Sequence, residues 1–133
     1  MTLRHLHLIV GLGSVIAFLL TGQYMDRWLA HLEGMPDLPR MLYRSGHIYL
    51  LFGGLLNVLL GLYLDEGSAG WRRHVGRVGS VLILVAPALL LVGFGREAAR
   101  TDLERPYATP AIYASFAGVL LHAMARVLNS SRM

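Results

Sequence analysis

The sequence predicts an all-α integral membrane protein, a four-helix up-and-down bundle forming one domain over residues 1–133. Three observations predict it. Hydrophobic residues make up 55% of the chain and charged residues 15%, against roughly 25% charged in an average soluble domain. The apolar residues gather into four runs, near 6–25, 42–64, 76–95 and 110–128, and most of the charges lie between them. Each run approaches the ~20 residues a helix needs to cross about 30 Å of hydrocarbon. A helix is the form in which a single apolar segment satisfies its own backbone polar groups there.

Taken in order, the first run is longer than the usual hydrophobic core of a signal peptide, roughly 7–15 residues. Gln23 stands where a lipoprotein cleavage box would need Cys, so the run reads as a retained span. The second contains HIYLLFGGLLNVLLGLYL. The third contains VGSVLILVAPALLLVGFG, and its central Pro87 predicts a kink. The fourth begins well, with Thr109 as cap and Pro110 in the first turn. Of the connections, 26–41 is the longest, and its WLAHL stretch reads as a short amphipathic helix on the membrane surface. Connection 65–75 is tight and 96–109 is charged. Short links favour antiparallel neighbours.

Composition excludes several chemistries. With no Cys there is no disulfide, no thiolate metal site and no covalent heme attachment. The basic excess is all arginine, 12 residues with no Lys. The arginines are scattered through the connections and make no basic stripe, so nucleic-acid binding is rejected. At the ends of apolar helices they anchor in the headgroup region of the lipid bilayer. Six fall on each side of an alternating four-span chain, so the arginine count gives no orientation. The acids divide two and six, and this favours both termini inside the cell, in a bacterial inner membrane.

A polar side chain within hydrocarbon needs a reason, so these residues carry the functional signal. The second span aligns Arg44, His47, Gly54, Asn57 and Gly61 on one face. The fourth aligns Ser115, Gly118, His122 and Arg126, and the first aligns His7, Gly11, Ser14 and Phe18. The glycines serve either close helix packing or a groove for a flat ligand. Along the fourth span His122 lies roughly 18 Å from Pro110, and His47 only about 8 Å from Leu42 along the second. In antiparallel spans His7 and His122 therefore share a side, while His47 lies toward the other. Two imidazoles at one depth suit the axial positions of a b-type heme or a transition metal. His47 needs another partner, such as His31 or a symmetry mate, and His5 and His74 are weaker candidates. No Asp or Glu falls within the four runs, which argues against a proton-coupled antiporter or a cation channel. Six tyrosines and two tryptophans, mostly near span ends, read as aromatic belts.

The segments Thr21-Gly22-Gln23-Tyr24-Met25 and Arg44-Ser45-Gly46-His47-Ile48-Tyr49 resemble small bacterial four-helix inner-membrane proteins. More distantly, histidines near span ends are similar to those of membrane b-type cytochromes; paired histidines within one span are missing here, so the resemblance implies a single heme. Arg40, Arg44 and His47 resemble the start of the second span in membrane glutathione transferases, although Ile48 and Tyr49 follow where that family has Asn and Glu.

The leading expectation is a heme- or metal-binding membrane redox protein. His7 and His122 would be axial ligands, and His47 with Arg44 a second polar site. Arg44 or Arg126 would pair with heme propionates or lipid phosphates. A non-enzymatic accessory or scaffold subunit of a larger membrane complex is the alternative, and a small transporter or proton pathway using His47 and Asn57 is a third. The Gly, Ala and Ser faces favour a homo-oligomer or a larger complex. Chemistry is expected between the first, second and fourth spans, with the third, nearly featureless apart from Pro87, as support.

Overall fold

A computed structural model describes residues 2–65, 67 and 70–130, with side chains described as far as 127. Four long helices make up the structure: α1 Leu3–Arg27, α2 Asp37–Tyr63, α3 Trp71–Glu97 and α4 Ala108–Ser130. All four are long and apolar enough to cross a membrane.

The helices outrun the apolar runs because their start signals lie outside them. Thr2 caps α1, its Oγ1 accepting from the His5 N–H at 3.4 Å. Pro36 and Asp37 open α2, where an acid favours the positive end of the helix. Pro39 falls in the first turn, among backbone donors that have no partner inside the helix anyway. Of residues 28–32, expected as a short amphipathic helix, only Ala30–Leu32 are helical, as one 3-10 turn. Ala30, His31 and Leu32 all carry positive φ, from 45° to 65°, a conformation that cannot be propagated as an ordinary helix.

Neighbouring helices run antiparallel, as the pairing of their residues shows. Arg4 at the start of α1 donates to the Gly61 and Leu62 carbonyls at the end of α2, at 3.2 and 2.8 Å. Thr21, late in α1, meets His47, early in α2. The α1–α2 and α3–α4 hairpins are the closest-packed pairs and join mainly through α2 and α3. Packing between α1 and α4 is slight, so the bundle is open on that side.

Glycine sets the closeness within each hairpin. A β-carbon on Gly11 would lie 2.6 Å from the Val58 nitrogen, and one on Gly118 would lie 2.7 Å from the Gly79 oxygen. These are backbone-to-backbone approaches that only small residues permit. The apolar core, with Leu50, Ala86, Leu90, Phe94, Ala108 and Ala111, belongs to the end where α3 meets the start of α4. Toward the other end the buried interior turns polar, with His7, Asn57 and Ser80 all fully enclosed.

Candidate functional site

The polar interior begins with a proline. Pro87 lacks an N–H, so the Ile83 carbonyl one turn earlier in α3 has no helical donor. Asn57 of α2 fills that vacancy: its Nδ2 donates to Ile83 O at 3.0 Å and to Gly53 O at 2.9 Å. With both amide hydrogens spent on carbonyls, the orientation of the Asn57 amide is settled and Oδ1 is an acceptor. His7 of α1 lies 2.7 Å from that oxygen through Nδ1. His7 therefore carries its proton on Nδ1, and Nε2 presents a bare lone pair. That lone pair is buried and has no hydrogen-bond partner among the described residues. A second-group carbonyl that fixes the tautomer of an imidazole is the usual support of a metal-ligating histidine.

His122 of α4 belongs to the same end of the bundle, over the Gly79 and Ser80 side of α3. Its Nε2 is 3.1 Å from the Oγ of Ser80 on α3. The ring lies over small residues of α3: a β-carbon on Gly79 would come within 3.1 Å of its Cδ2. The structure thus places His7 and His122 at the same end, as expected from their depth.

His47 belongs to the opposite end. Its Nδ1 is 2.9 Å from Thr21 Oγ1; the Thr21 hydroxyl already donates to Phe18 O at 3.0 Å, so it accepts from His47. The imidazole also stacks on Phe18, with centroids 4.0 Å apart and planes at 19°. Arg44 is exposed and its partnership with His47 does not form. His31, the partner proposed for His47, instead pairs with Asp26 at 2.5 Å. His5 and His74 are exposed, within hydrogen-bond distance of Thr2 Oγ1 and the Gly70 carbonyl.

Between α2 and α4, floored by α3, a cleft of about 800 Å³ opens at the His122 end. Ser80, Ile83 and His122 form its inner part; Arg72, Arg73, Arg77 and Arg126 border it. His7 is not among its lining residues.

Two expectations need correction. The glycine faces of the first, second and fourth spans offer no free slot to a flat ligand, because Val58 fills the space at Gly11, Leu8 that at Gly61, and Ile83 that at Gly118. The third span is not mere support: Pro87, Ile83 and Ser80 hold Asn57 and His122 in place. Glu97, read as part of a connection, is the last residue of α3 and only 1% exposed. Its Oε1 accepts from the Tyr107 and Ala108 N–H groups at 2.5 and 3.2 Å, and so caps α4 in place of the expected Thr109. Its Oε2 faces Arg105 Nε at 3.6 Å, while Arg105 also donates to Ser45 at 3.0 Å and covers the Tyr49 ring. An acid two residues beyond an apolar run gave no sign in the sequence of reaching forward across ten residues.

Among the described residues, no group of three or more His, Asp or Glu is placed to hold a metal ion. Compared with known proteins, the chain matches no protein-family model, no curated protein and no solved structure.

Proposed function

We propose that this chain is a multi-pass protein of the bacterial inner membrane, with both termini inside, that carries a redox-active metal centre on His7 and His122. One observation carries the reading: the Nε2 lone pair of His7, fixed by Asn57, enclosed, and without a hydrogen-bond partner among the described residues, at the end of the bundle that also holds His122. Leaving an acceptor so placed costs about 1–3 kcal/mol, a cost that a bound metal removes. A heme would be held by His7 and His122 and would supply one-electron chemistry there. A bare transition metal is the second reading. It is favoured by the closed glycine contacts, and it would take water or the Ser80 hydroxyl as further ligands. Counted along the sequence, six arginines and two acids on one alternating side, against six and six on the other, support the orientation.

The test is an absorption spectrum and elemental analysis of one detergent-purified sample. A Soret band lost in both His7→Ala and His122→Ala, and kept in His47→Ala, supports heme. Stoichiometric metal without a Soret band, lost in the same two variants, supports the bare ion. A folded protein with neither sinks the proposal and favours an accessory subunit.

A further inference from the structure

We propose that the cleft between α2 and α4 binds one membrane-borne quinone, whose ring carbonyl accepts from the Nδ1–H of His122. The inference does not rest on the histidine centre. His7 lies outside the cleft, and a metal taken on Nε2 of His122 leaves the same proton on Nδ1.

Ser80 decides where that proton sits. It is fully buried, and among the described residues the hydrogen-bond partner of its Oγ is His122 Nε2, at 3.1 Å. A buried hydroxyl proton needs an acceptor, so Ser80 donates to Nε2. A neutral imidazole that accepts through Nε2 carries its proton on Nδ1. No described residue accepts from that Nδ1. It is not sealed in as the Nε2 of His7 is. The ring edge that bears it lies beside Gly76, where a β-carbon would stand 4.0 Å from Nδ1 and 3.9 Å from Cε1. Glycine has no side chain to cover that edge, and both Gly76 and His122 line the cleft. A donor without an acceptor in the chain therefore faces a space large enough for a ligand.

The rest of the cleft selects the class of ligand. Its volume, about 800 Å³, falls within the roughly 300–1,000 Å³ of small-molecule sites. Toward the middle of the helices its wall passes from Gly76 and His122 to Leu56, Ile83 and Val119. About one turn further along, Phe52 of α2 and Phe116 of α4 bridge the seam, their ring centroids 6.1 Å apart. Leu59 and Val119, 53% and 39% exposed, leave the side open to hydrocarbon. The ligand that fits has an acceptor oxygen at one end, a slim apolar body, and an apolar chain that leaves sideways between two helices. A quinone with an isoprenoid chain has all three. A fatty acid has the chain, but its carboxylate loses far more hydration on entering than a carbonyl does, and one neutral N–H offsets little of that loss.

Titrating the detergent-purified full chain with a short-chain ubiquinone, farnesol or oleate tests this. Native mass spectrometry counts the bound molecules, and infrared difference spectra read the quinone carbonyl. Ubiquinone should bind with a stoichiometry of one and show a carbonyl stretch lowered by hydrogen bonding. His122→Phe keeps a ring of similar size; it should bind roughly threefold to tenfold more weakly, the loss of one hydrogen bond, and abolish the lowered stretch. Gly76→Leu covers the Nδ1 edge and leaves the donor in place. It should weaken binding about tenfold, and it keeps the test decisive if His122→Phe fails to fold. Farnesol or oleate binding as tightly as ubiquinone overturns the proposal. So does a carbonyl stretch unchanged from the free quinone, or binding that neither variant weakens. Ubiquinone bound in this way by a sample without metal or heme still supports the site, so the two proposals fail separately.

Discussion

The two ends of this bundle treat their arginines differently. At the end where α3 meets α4, Arg105, Arg100 and Arg40 lie against acids, the interior is apolar, and one buried carboxylate joins two helices. At the other end the interior is imidazole, amide and hydroxyl, and four arginines border an open cleft. The first end sets arginines against acids, while the second holds the His7 Nε2 lone pair, which has no hydrogen-bond partner among the described residues. Groups left unsatisfied by the chain itself are where an external ligand gains most.

The largest expected effect lies at the closed end. Glu97→Ala removes the cap of α4 and leaves Arg105 without its acid, so it should cost about 3–5 kcal/mol. Arg77→Ala at the open end should change stability by no more than about 0.5 kcal/mol. Thermal unfolding in one detergent compares the two, and equal losses would break the contrast between the ends.

Next come the close approaches. Gly118→Ala would force a β-carbon to 2.5 Å from Ile83 Cγ1 and should destabilise by about 1–3 kcal/mol. Gly13→Ala, where no atom lies within 4 Å, should be neutral or stabilise by up to about 1 kcal/mol through helix propensity.

Asn57→Ala should cost about 1–3 kcal/mol, since it strips His7 Nδ1 of its buried acceptor. It should also release the His7 tautomer, read by nitrogen NMR of the ring. Thr21→Val is the matching change at His47, which is only half-buried, and about 0.5–1.5 kcal/mol is expected there. A ring still fixed on Nδ1–H in Asn57→Ala would show that something other than Asn57 sets it.

Pro87→Ala should do less to stability but act on the same chain of bonds. It restores a helical N–H that competes with Asn57 for Ile83 O, so the His7 tautomer should loosen while the unfolding temperature holds or rises.

The smallest effect belongs to Asp102. Its hydrogen bond from Arg100 holds the carboxyl below the usual carboxylate range. A depressed folded value gives stability that is present above about pH 4 and is lost as pH falls through that lower value. The pair is exposed, so Asp102→Asn should leave the midpoint at pH 7 unchanged; a clear drop would mean that this loop matters more than its exposure implies.

Much of the frame was legible in the sequence, for local reasons. Apolar run length decides that four helices are long enough to span a membrane, and short links decide that neighbours run antiparallel. Depth along a helix is a matter of counting, so His7 with His122 at one end and His47 at the other followed from 1.5 Å per residue. The helix ends were less legible, because Glu97 caps a helix other than its own. The outcome at Arg44 and the filling of the glycine faces were not legible either. Helical spacing says which residues share a face, and only the packed partner says whether that face is full.

The sequence by itself determined four apolar helices, their alternation, and the separation of acids toward one end, because these depend on composition and on spacing along the chain. Only the tertiary structure decided which imidazole keeps a bare nitrogen. That nitrogen depends on Pro87 in α3 freeing the Ile83 carbonyl, on Asn57 in α2 turning to it, and on His7 in α1 giving its proton to what remains. Three helices must pack before that sequence of bonds exists, and no spacing within any one of them encodes it.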